Sequence, residues 1–139
     1  MKKVLFCTWH GLGDSVMLTP ALRKYKKLNP DTYIGVATLK RFGAATIELL
    51  SGLDFIDEVI PCLPDAWNDF GSYTEGVNKV IEKAKEVGKN NGFTSLCILP
   101  TKRLEGLKLH KIFRFAEEMN ITFDCLEDLE TKLNTTKEA

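Results

Sequence analysis

The sequence predicts an α/β fold: a parallel sheet with helices on both faces. Short apolar runs alternate with segments whose apolar residues recur at helical spacing, nearly from end to end. The short runs lack the polar alternation of half-buried strands, as is typical of strands covered on both faces. The length of 139 residues suits one domain, and an apolar fraction of 44% is enough to form a core.

The first half of the chain contains three of the predicted strands, at residues 4–8, 33–38 and 57–61. After the first strand, Leu18, Ala21, Leu22, Tyr25 and Leu28 have helical spacing, and Asn29–Pro30 ends that helix. Pro20 either occupies the first turn of the helix or kinks a helix that begins at Asp14. Residues 42–50 form the second predicted helix, which Ser51–Gly52 ends.

The second half begins with a predicted loop at residues 62–73, which is rich in Pro, Asp, Asn, Gly and aromatic residues. Ser72 and Glu75 match a capping box, so a third helix starts there, and Asn90–Asn91–Gly92 ends it. We expect a fourth strand at 94–99, a basic loop at 100–108, a helix near 109–119 and a short strand at 121–123. Residues 1–126 then form the domain, which is Rossmann-like, and the polar residues 127–139 form a tail or an interdomain linker.

All loops that follow strands in such a sheet lie at one edge, because the crossovers between parallel strands are right-handed. Ligands of open α/β sheets bind at that edge. Residues 9–14, 39–41, 62–73 and 100–108 should therefore line one crevice.

Charge and composition exclude several classes of protein. Nineteen basic residues balance nineteen acidic ones, so the formal net charge is zero, whereas a nucleic-acid-binding protein usually has a basic excess. No apolar run approaches the roughly 20 residues of a transmembrane helix, and the apolar run after Lys2 and Lys3 is too short for a signal peptide. We therefore expect a cytoplasmic protein without a transmembrane segment.

The four cysteines and two histidines do not predict a metal site. Cys7, Cys62, Cys97 and Cys125 form no C-x-x-C pair. Cys7 and Cys97 lie within apolar runs, where a reduced cysteine is a small core residue. We expect neither a metal nor a cofactor.

The loop His10-Gly11-Leu12-Gly13-Asp14 is the strongest candidate for a functional site. Its glycines allow a sharp turn and the close approach of a ligand, and the following helix offers free N–H groups to an anion. The loop matches neither G-x-G-x-x-G nor a Walker loop. A carboxylate at Asp14 is either a helix N-cap or a base that accepts a proton from a substrate hydroxyl.

A longer stretch of sequence resembles a known family. Residues 4–23, VLFCTWHGLGDSVMLTPALR, resemble the start of glycosyltransferase family 9, the heptosyltransferase family, with its strand, G-x-G-D and T-P-A-L followed by a basic residue. The likeness continues at Asn29-Pro30-Asp31, at residues 55–61 (FIDEVIP), and at residues 110–116 (HKIFRFA) with Asn120-Ile121. The order of these matches along the chain is that of the family.

The resemblance implies the N-terminal half of a GT-B enzyme, in which two Rossmann-like domains face each other across a cleft. That half mainly holds the acceptor, and the C-terminal half mainly holds the nucleotide-sugar donor. The implied reaction is inverting transfer of a heptose-like sugar, as in lipopolysaccharide biosynthesis, from a nucleotide-diphosphate sugar to a hydroxyl of a glycan or glycolipid. Asp14 is then the catalytic base, and His10, Gly11, Leu12 and Gly13 form the loop at the substrate and its phosphates. The family fold needs no metal.

This chain departs from the family pattern between the fourth strand and the last helix. The family usually has a further helix and strand there, where this chain has only residues 100–108. The expected partners are a nucleotide-sugar donor, an acceptor, and either a missing C-terminal domain or a second copy of the chain.

Other residues are weaker candidates for contacts with the acceptor. Trp9 flanks the glycine loop. A basic cluster near the predicted crevice is either a solvated helix face or a set of side chains that bind an anionic acceptor. Trp67, Phe70 and Tyr73 either pack the long loop or form a lid over a sugar. The basic cluster comprises Lys102, Arg103, Lys108, His110, Lys111 and Arg114.

A second function is also compatible with the sequence. A single Rossmann-like domain can bind a nucleotide or a sugar phosphate without catalysing a reaction. The two functions differ in whether this chain works together with a donor-binding domain.

Overall fold

The computed structural model describes residues 2–8, 12–40, 44–65, 70–99 and Met119. Within these ranges four strands alternate with three helices, and each of the first three strands is followed by a helix. The elements are β1 (Lys3–Thr8), α1 (Leu12–Leu28), β2 (Tyr33–Leu39), α2 (Ala44–Ser51), β3 (Glu58–Leu63), α3 (Tyr73–Asn90) and β4 (Ser95–Leu99).

The four strands form one parallel sheet in the order β3-β2-β1-β4. Lys3 to Cys7 pair with Tyr33 to Ala37, and Val4 to Thr8 pair with Ser95 to Leu99. The chain thus adds β2 and β3 on one side of β1 and then crosses to add β4 on the other. This confirms the predicted fold class.

Each face of the sheet has its own apolar core. Val4, Phe6, Ile34 and Val36 face α1 and α2, where they pack with Leu18, Leu22 and Leu50. The alternate residues Leu5, Cys7 and Ala37 face α3, where they pack with Val80, Ala84 and Val87. Helices on both faces explain why β1 and β2 are apolar at nearly every position.

The ends of α3 follow local sequence signals. Ser72 is the N-cap, and its hydroxyl accepts a hydrogen bond of 3.2 Å from the Glu75 backbone N–H. At the other end, the Asn91 side chain donates to the Val87 carbonyl at 2.8 Å, and Gly92 adopts a left-handed φ of 75°. The predicted helix start at Ser72 and the predicted stop are confirmed.

The structure corrects three predicted boundaries. The helix α1 starts at Leu12, before both predicted starting points, and Pro20 lies in its interior. Cys62 and Leu63 belong to β3 and not to a loop, because the strand continues beyond Pro61 through an irregular register at Thr38/Leu39. Tyr73 is the first residue of α3.

Several predictions lie outside the described residues. These are the glycine loop up to Gly11, the basic loop at 100–108, the helix near 109–119 apart from Met119, the strand at 121–123, and the tail at 127–139. Met119 is buried and packs with the core between the sheet and α1. None of the helices in the described ranges is long and apolar enough to cross a membrane.

Candidate functional site

The candidate site lies at the carboxyl edge of the sheet, where β1 and β4 are neighbours. The chain adds β2 and β3 on one side of β1 and then adds β4 on the other side. The helices α1 and α2 cover one face of the sheet, and α3, which leads to β4, covers the opposite face. Such a switch point opens a crevice in which α/β proteins bind ligands. Residues 9–11 and the start of α1 follow β1 directly at this point.

Asp14 is the third residue of α1, so it lies in the first turn of the helix and is not the N-cap. The N-cap interpretation from the sequence is therefore wrong, because the helix starts two residues earlier than Asp14. Leu12 and Gly13 lie in the same turn.

The other predicted site residues cannot be placed, because they lie outside the described residues. They are Trp9, His10 and Gly11 beside the glycine loop, Lys102, Arg103 and Lys108 in the basic loop, and His110, Lys111 and Arg114 beyond it. Of the three aromatic residues predicted either to pack the long loop or to form a lid, Phe70 is half-buried at the carboxyl edge and Tyr73 begins α3. Trp67 lies outside the described ranges.

Two buried threonines lie near this edge: Thr8 is the last residue of β1, and Thr38 is the last but one of β2. Thr8 is 0% exposed and Thr38 is 1% exposed. Neither side-chain oxygen has a hydrogen-bond partner among the described residues. The sequence identifies both positions only as strand residues, because nothing in a threonine near a strand end indicates whether its hydroxyl is buried.

A cleft of about 680 Å³ lies between the ends of β2 and β3 and the helix α3. Its volume is within the range of about 300–1,000 Å³ typical of small-molecule sites. We call it the β3–α3 cleft. It is lined by Lys40 at the end of β2, by Cys62, Leu63 and Pro64 at the end of β3, by Phe70, and by Lys79, Glu82, Lys83 and Glu86 of α3.

The charges of this cleft are arranged in two surface ion pairs on α3. The Lys79 ammonium lies 3.3 Å from the Glu82 carboxylate, and the Lys83 ammonium lies 3.7 Å from that of Glu86. All four side chains are at least 41% exposed, so the pairs contribute little stability and can rearrange around a ligand. Lys40 is exposed, and its backbone N–H donates to the Leu63 carbonyl at 2.9 Å, which ties the ends of β2 and β3 together.

The four charged residues of α3 were not identified as site residues from the sequence. Their spacing shows that they share one face of a helix, but a polar face is most often only solvated. Only the folded structure identifies them, because it places this face of α3 beside the carboxyl end of β3.

The pKa of the Cys62 thiol depends on its burial and on the charges that line the cleft. Burial raises the pKa of its thiol to about 11; the Lys83 ammonium lowers this pKa and the Glu86 carboxylate raises it. Cys7 is more deeply buried, and burial raises its pKa further. Neither thiol is therefore an activated nucleophile at neutral pH.

We expect alkylation of Cys62 by iodoacetamide to be slow at pH 7 and to accelerate about tenfold per pH unit up to pH 10, because only the thiolate reacts. Lys83→Gln should slow the reaction, and Glu86→Gln should accelerate it. Peptide mapping by mass spectrometry measures the rate at Cys62, with the exposed Lys85→Gln as the matched control. A plateau below pH 9, or faster alkylation in Lys83→Gln, would contradict this electrostatic account.

No cluster of three or more His, Cys, Asp or Glu residues that could hold a metal ion occurs within the described ranges. Cys7, Cys62 and Cys97 do not form disulfide bonds.

Comparison with known proteins gives a likeness of fold. No protein-family model matches the sequence, and no curated protein matches it. Among solved structures, a glycosyl transferase family 9 protein from Veillonella parvula matches with a TM-score of 0.54 and 13% identity, over 99% of this chain and 42% of that one. The E. coli heptosyltransferase WaaC with ADP matches with a TM-score of 0.47 and 14% identity, over 83% of this chain and 45% of that one.

This chain spans less than half the length of each of these proteins. At 13% identity the likeness to the Veillonella protein establishes a shared α/β fold. The partial coverage fits the predicted resemblance to one half of a two-domain enzyme.

Proposed function

We propose that this chain is the acceptor-binding half of an inverting glycosyltransferase. The observation that carries the proposal is the position of the G-x-G-D sequence of residues 11–14. It leads from β1 into the first turn of α1, at the switch point of a sheet whose fold is shared with a glycosyl transferase family 9 protein.

In the proposed reaction the Asp14 carboxylate accepts the proton of an acceptor hydroxyl. The hydroxyl oxygen attacks the anomeric carbon of a heptose-like sugar while the bond from that carbon to the nucleotide diphosphate breaks on the opposite side. The nucleotide diphosphate leaves with the bonding electrons, and the configuration at the anomeric carbon inverts. Asp14 suits this role because its place in the first turn of α1 is at the switch point and a carboxylate can accept a proton.

The backbone of Gly11, Leu12 and Gly13 is proposed to lie beside the diphosphate. The first four N–H groups of a helix lack acceptors within the helix, so they can donate to phosphate oxygens as negative charge develops there. His10 and Trp9 flank this loop and are proposed to contact the acceptor, as are the basic residues Lys102, Arg103 and Lys108.

The β3–α3 cleft supports a sugar acceptor. Charged side chains that can donate and accept hydrogen bonds surround an aromatic ring, Phe70, and this combination suits the hydroxyls and the apolar face of a sugar. The three lysines exceed the two glutamates by one charge, so the cleft also accommodates an acidic group on the acceptor.

The donor side of the site is proposed to belong to a second domain or to a second copy of this chain. This proposal rests on the finding that the present chain covers less than half of the matched Veillonella structure. We use the term complete transferase for this chain together with the domain that binds the nucleotide sugar.

The experiment that tests the function compares two classes of ligand on this chain by ¹⁵N NMR titration. We expect simple sugars and sugar phosphates at millimolar concentration to shift amide signals of Lys40, Lys79 and Lys83. Nucleotide sugars should bind weakly, because most of their contacts lie on the other domain. Micromolar binding of nucleotides with no response to sugars would instead support a stand-alone nucleotide-binding module.

A further inference from the structure

The junction between α3 and β4 contains an Asn-Gly sequence, at Asn91 and Gly92. An asparagine before a glycine is chemically labile, because the glycine nitrogen can attack the side-chain carbonyl carbon of the asparagine. Glycine favours this attack since it has no side chain to hinder its nitrogen. Asn91 is exposed, so water and base reach it. The junction is therefore a candidate site of spontaneous modification.

The folded chain holds both reacting groups in hydrogen bonds. The side-chain amide of Asn91 donates to the Val87 carbonyl at 2.8 Å. The Gly92 nitrogen, which would have to lose its proton before it attacks, donates to the Lys89 carbonyl at 3.3 Å. Neither group can react without breaking its bond to the last turn of α3.

The backbone conformation of Asn91 also keeps the reacting atoms apart. Its φ is −105° and its ψ is 11°. At this ψ the Gly92 nitrogen lies on the same side as the backbone nitrogen of Asn91 and points away from the side chain. Closing a five-membered ring requires a rotation about the Cα–C bond of Asn91, and this rotation moves Gly92 and the residues that follow it.

Two further contacts oppose this rotation. The Phe93 backbone N–H donates to the Gly88 carbonyl at 2.9 Å. The Lys3 ammonium donates to the backbone carbonyl of Asn91 at 3.0 Å and lies 4.7 Å from the centroid of the Phe93 ring. Ring closure must therefore follow the opening of the last turn of α3.

We propose that Asn91 is a site of spontaneous deamidation and that opening of the last turn of α3 sets its rate. The Gly92 nitrogen loses its proton to solvent and forms a bond to Cγ of Asn91. The bond from Cγ to the side-chain nitrogen breaks, and that nitrogen takes up a proton and leaves as ammonia. Water then opens the cyclic imide at either carbonyl and gives aspartate or isoaspartate. The modification uses neither a sugar nor a nucleotide, so it is independent of the proposed function.

The modified junction cannot return to the native arrangement. A carboxylate at position 91 cannot donate to the Val87 carbonyl, and its charge lies at the negative end of the helix dipole. Isoaspartate also adds one methylene group to the main chain between α3 and β4. The modification therefore marks each molecule in which this end of α3 has opened.

The proposal is tested by comparing deamidation in the folded chain and in the chain unfolded by urea. Peptide mapping by mass spectrometry measures the rate at each asparagine. Asn91 should react at least about tenfold more slowly in the folded chain, because several hydrogen bonds must open first. Asn78 is exposed on α3 and precedes a lysine, so it should react slowly in both states. Equal rates at Asn91 in the two states would overturn the proposal.

Lys3→Met tests whether opening sets the rate, because it removes the hydrogen bond to the Asn91 carbonyl and keeps an apolar side chain. Deamidation of Asn91 in the folded chain should accelerate about two- to tenfold, the effect of one hydrogen bond. Amide hydrogen exchange at Phe93 should accelerate by the same factor. Lys2→Met is the matched control, since Lys2 is exposed, and should change neither rate. An unchanged deamidation rate in Lys3→Met, or a faster rate without faster exchange, would overturn the proposal.

Asn91→Asp reproduces one product of the reaction and tests its consequence. The unfolding midpoint should fall by about 3 °C, because the helix loses the bond to the Val87 carbonyl and gains a charge at its negative end. Asn78→Asp introduces the same charge at an exposed position within α3 and should change the midpoint less. Equal midpoints of the Asn91→Asp variant and the natural chain would overturn the proposed effect on α3.

Discussion

Asp14→Asn in the complete transferase should lower turnover by about 100-fold or more, because asparagine cannot accept the proton of the attacking hydroxyl. The binding of the acceptor should change little, since the amide occupies nearly the same volume as the carboxylate. The loss should therefore appear in kcat and not in KM. Steady-state kinetics with the natural chain and the variant measure this directly.

The stability of the Asp14→Asn variant separates catalysis from folding. Asp14 lies in the first turn of α1, and a charge at a helix end is typically worth about 0.3–1 kcal/mol, so we expect the substitution to change the free energy of unfolding by no more than this amount. Asp31→Asn is the matched control, because Asp31 is exposed in the turn before β2, at the opposite edge of the sheet. An Asp14→Asn variant with full activity would exclude Asp14 as the base.

Gly35→Val should lower the free energy of unfolding by about 1–3 kcal/mol or more, although valine is favoured in strands. A Cβ atom at Gly35 would lie 2.5 Å from Cζ and 2.7 Å from Cε1 of Phe93. The Phe93 ring is held in place, with the Lys3 ammonium 4.7 Å from its centroid and the Tyr33 ring 6.2 Å away. Urea unfolding at constant m-value measures the loss.

Combination with Phe93→Ala tests the cause of the Gly35→Val effect. If the ring is the obstacle, the double variant should be more stable than the sum of the single effects predicts. Gly88→Ala is the control, because its Cβ would meet only Leu5 Cδ2, at an ordinary 3.7 Å. It should stabilise α3 by about 0.5–1 kcal/mol. Additive effects at Gly35 and Phe93 would contradict a steric origin.

The parts of the fold that could be predicted from the sequence are those encoded by local patterns. The buried strands β1, β2 and β4 follow from short apolar runs, and the ends of α3 follow from Ser72 and from Asn91–Gly92. The alternation of strands and helices predicts a parallel sheet, as observed, and its strand order β3-β2-β1-β4 is known only from the structure.

The start of α1 could not be predicted, because Gly13 and Pro20 are poor helix formers and their local preferences argue against a helix from Leu12. Packing of Leu18, Ala21 and Leu22 against the sheet outweighs those preferences. The extension of β3 through Cys62 and Leu63 depends likewise on pairing with Leu39, which no local pattern shows.

The candidate site was predictable only in its position along the chain. The glycine loop and Asp14 are contiguous in sequence, so a motif can identify them. The β3–α3 cleft and the two buried threonines involve residues 22 to 46 positions apart, such as Lys40 and Glu86 in the cleft, and Thr8 and Thr38. Their burial and proximity come from the sheet register and from the packing of α3, which the sequence pattern does not contain.

The central claim is that this chain contributes the acceptor side and the base of an inverting glycosyl transfer. The most direct measurement is ¹H NMR of the anomeric proton in the product made by the complete transferase from a nucleotide sugar of known configuration. We predict the opposite anomeric configuration in the product, together with stoichiometric release of the nucleotide diphosphate. A product with retained configuration, or no transfer from any nucleotide sugar to any acceptor hydroxyl, would contradict the account.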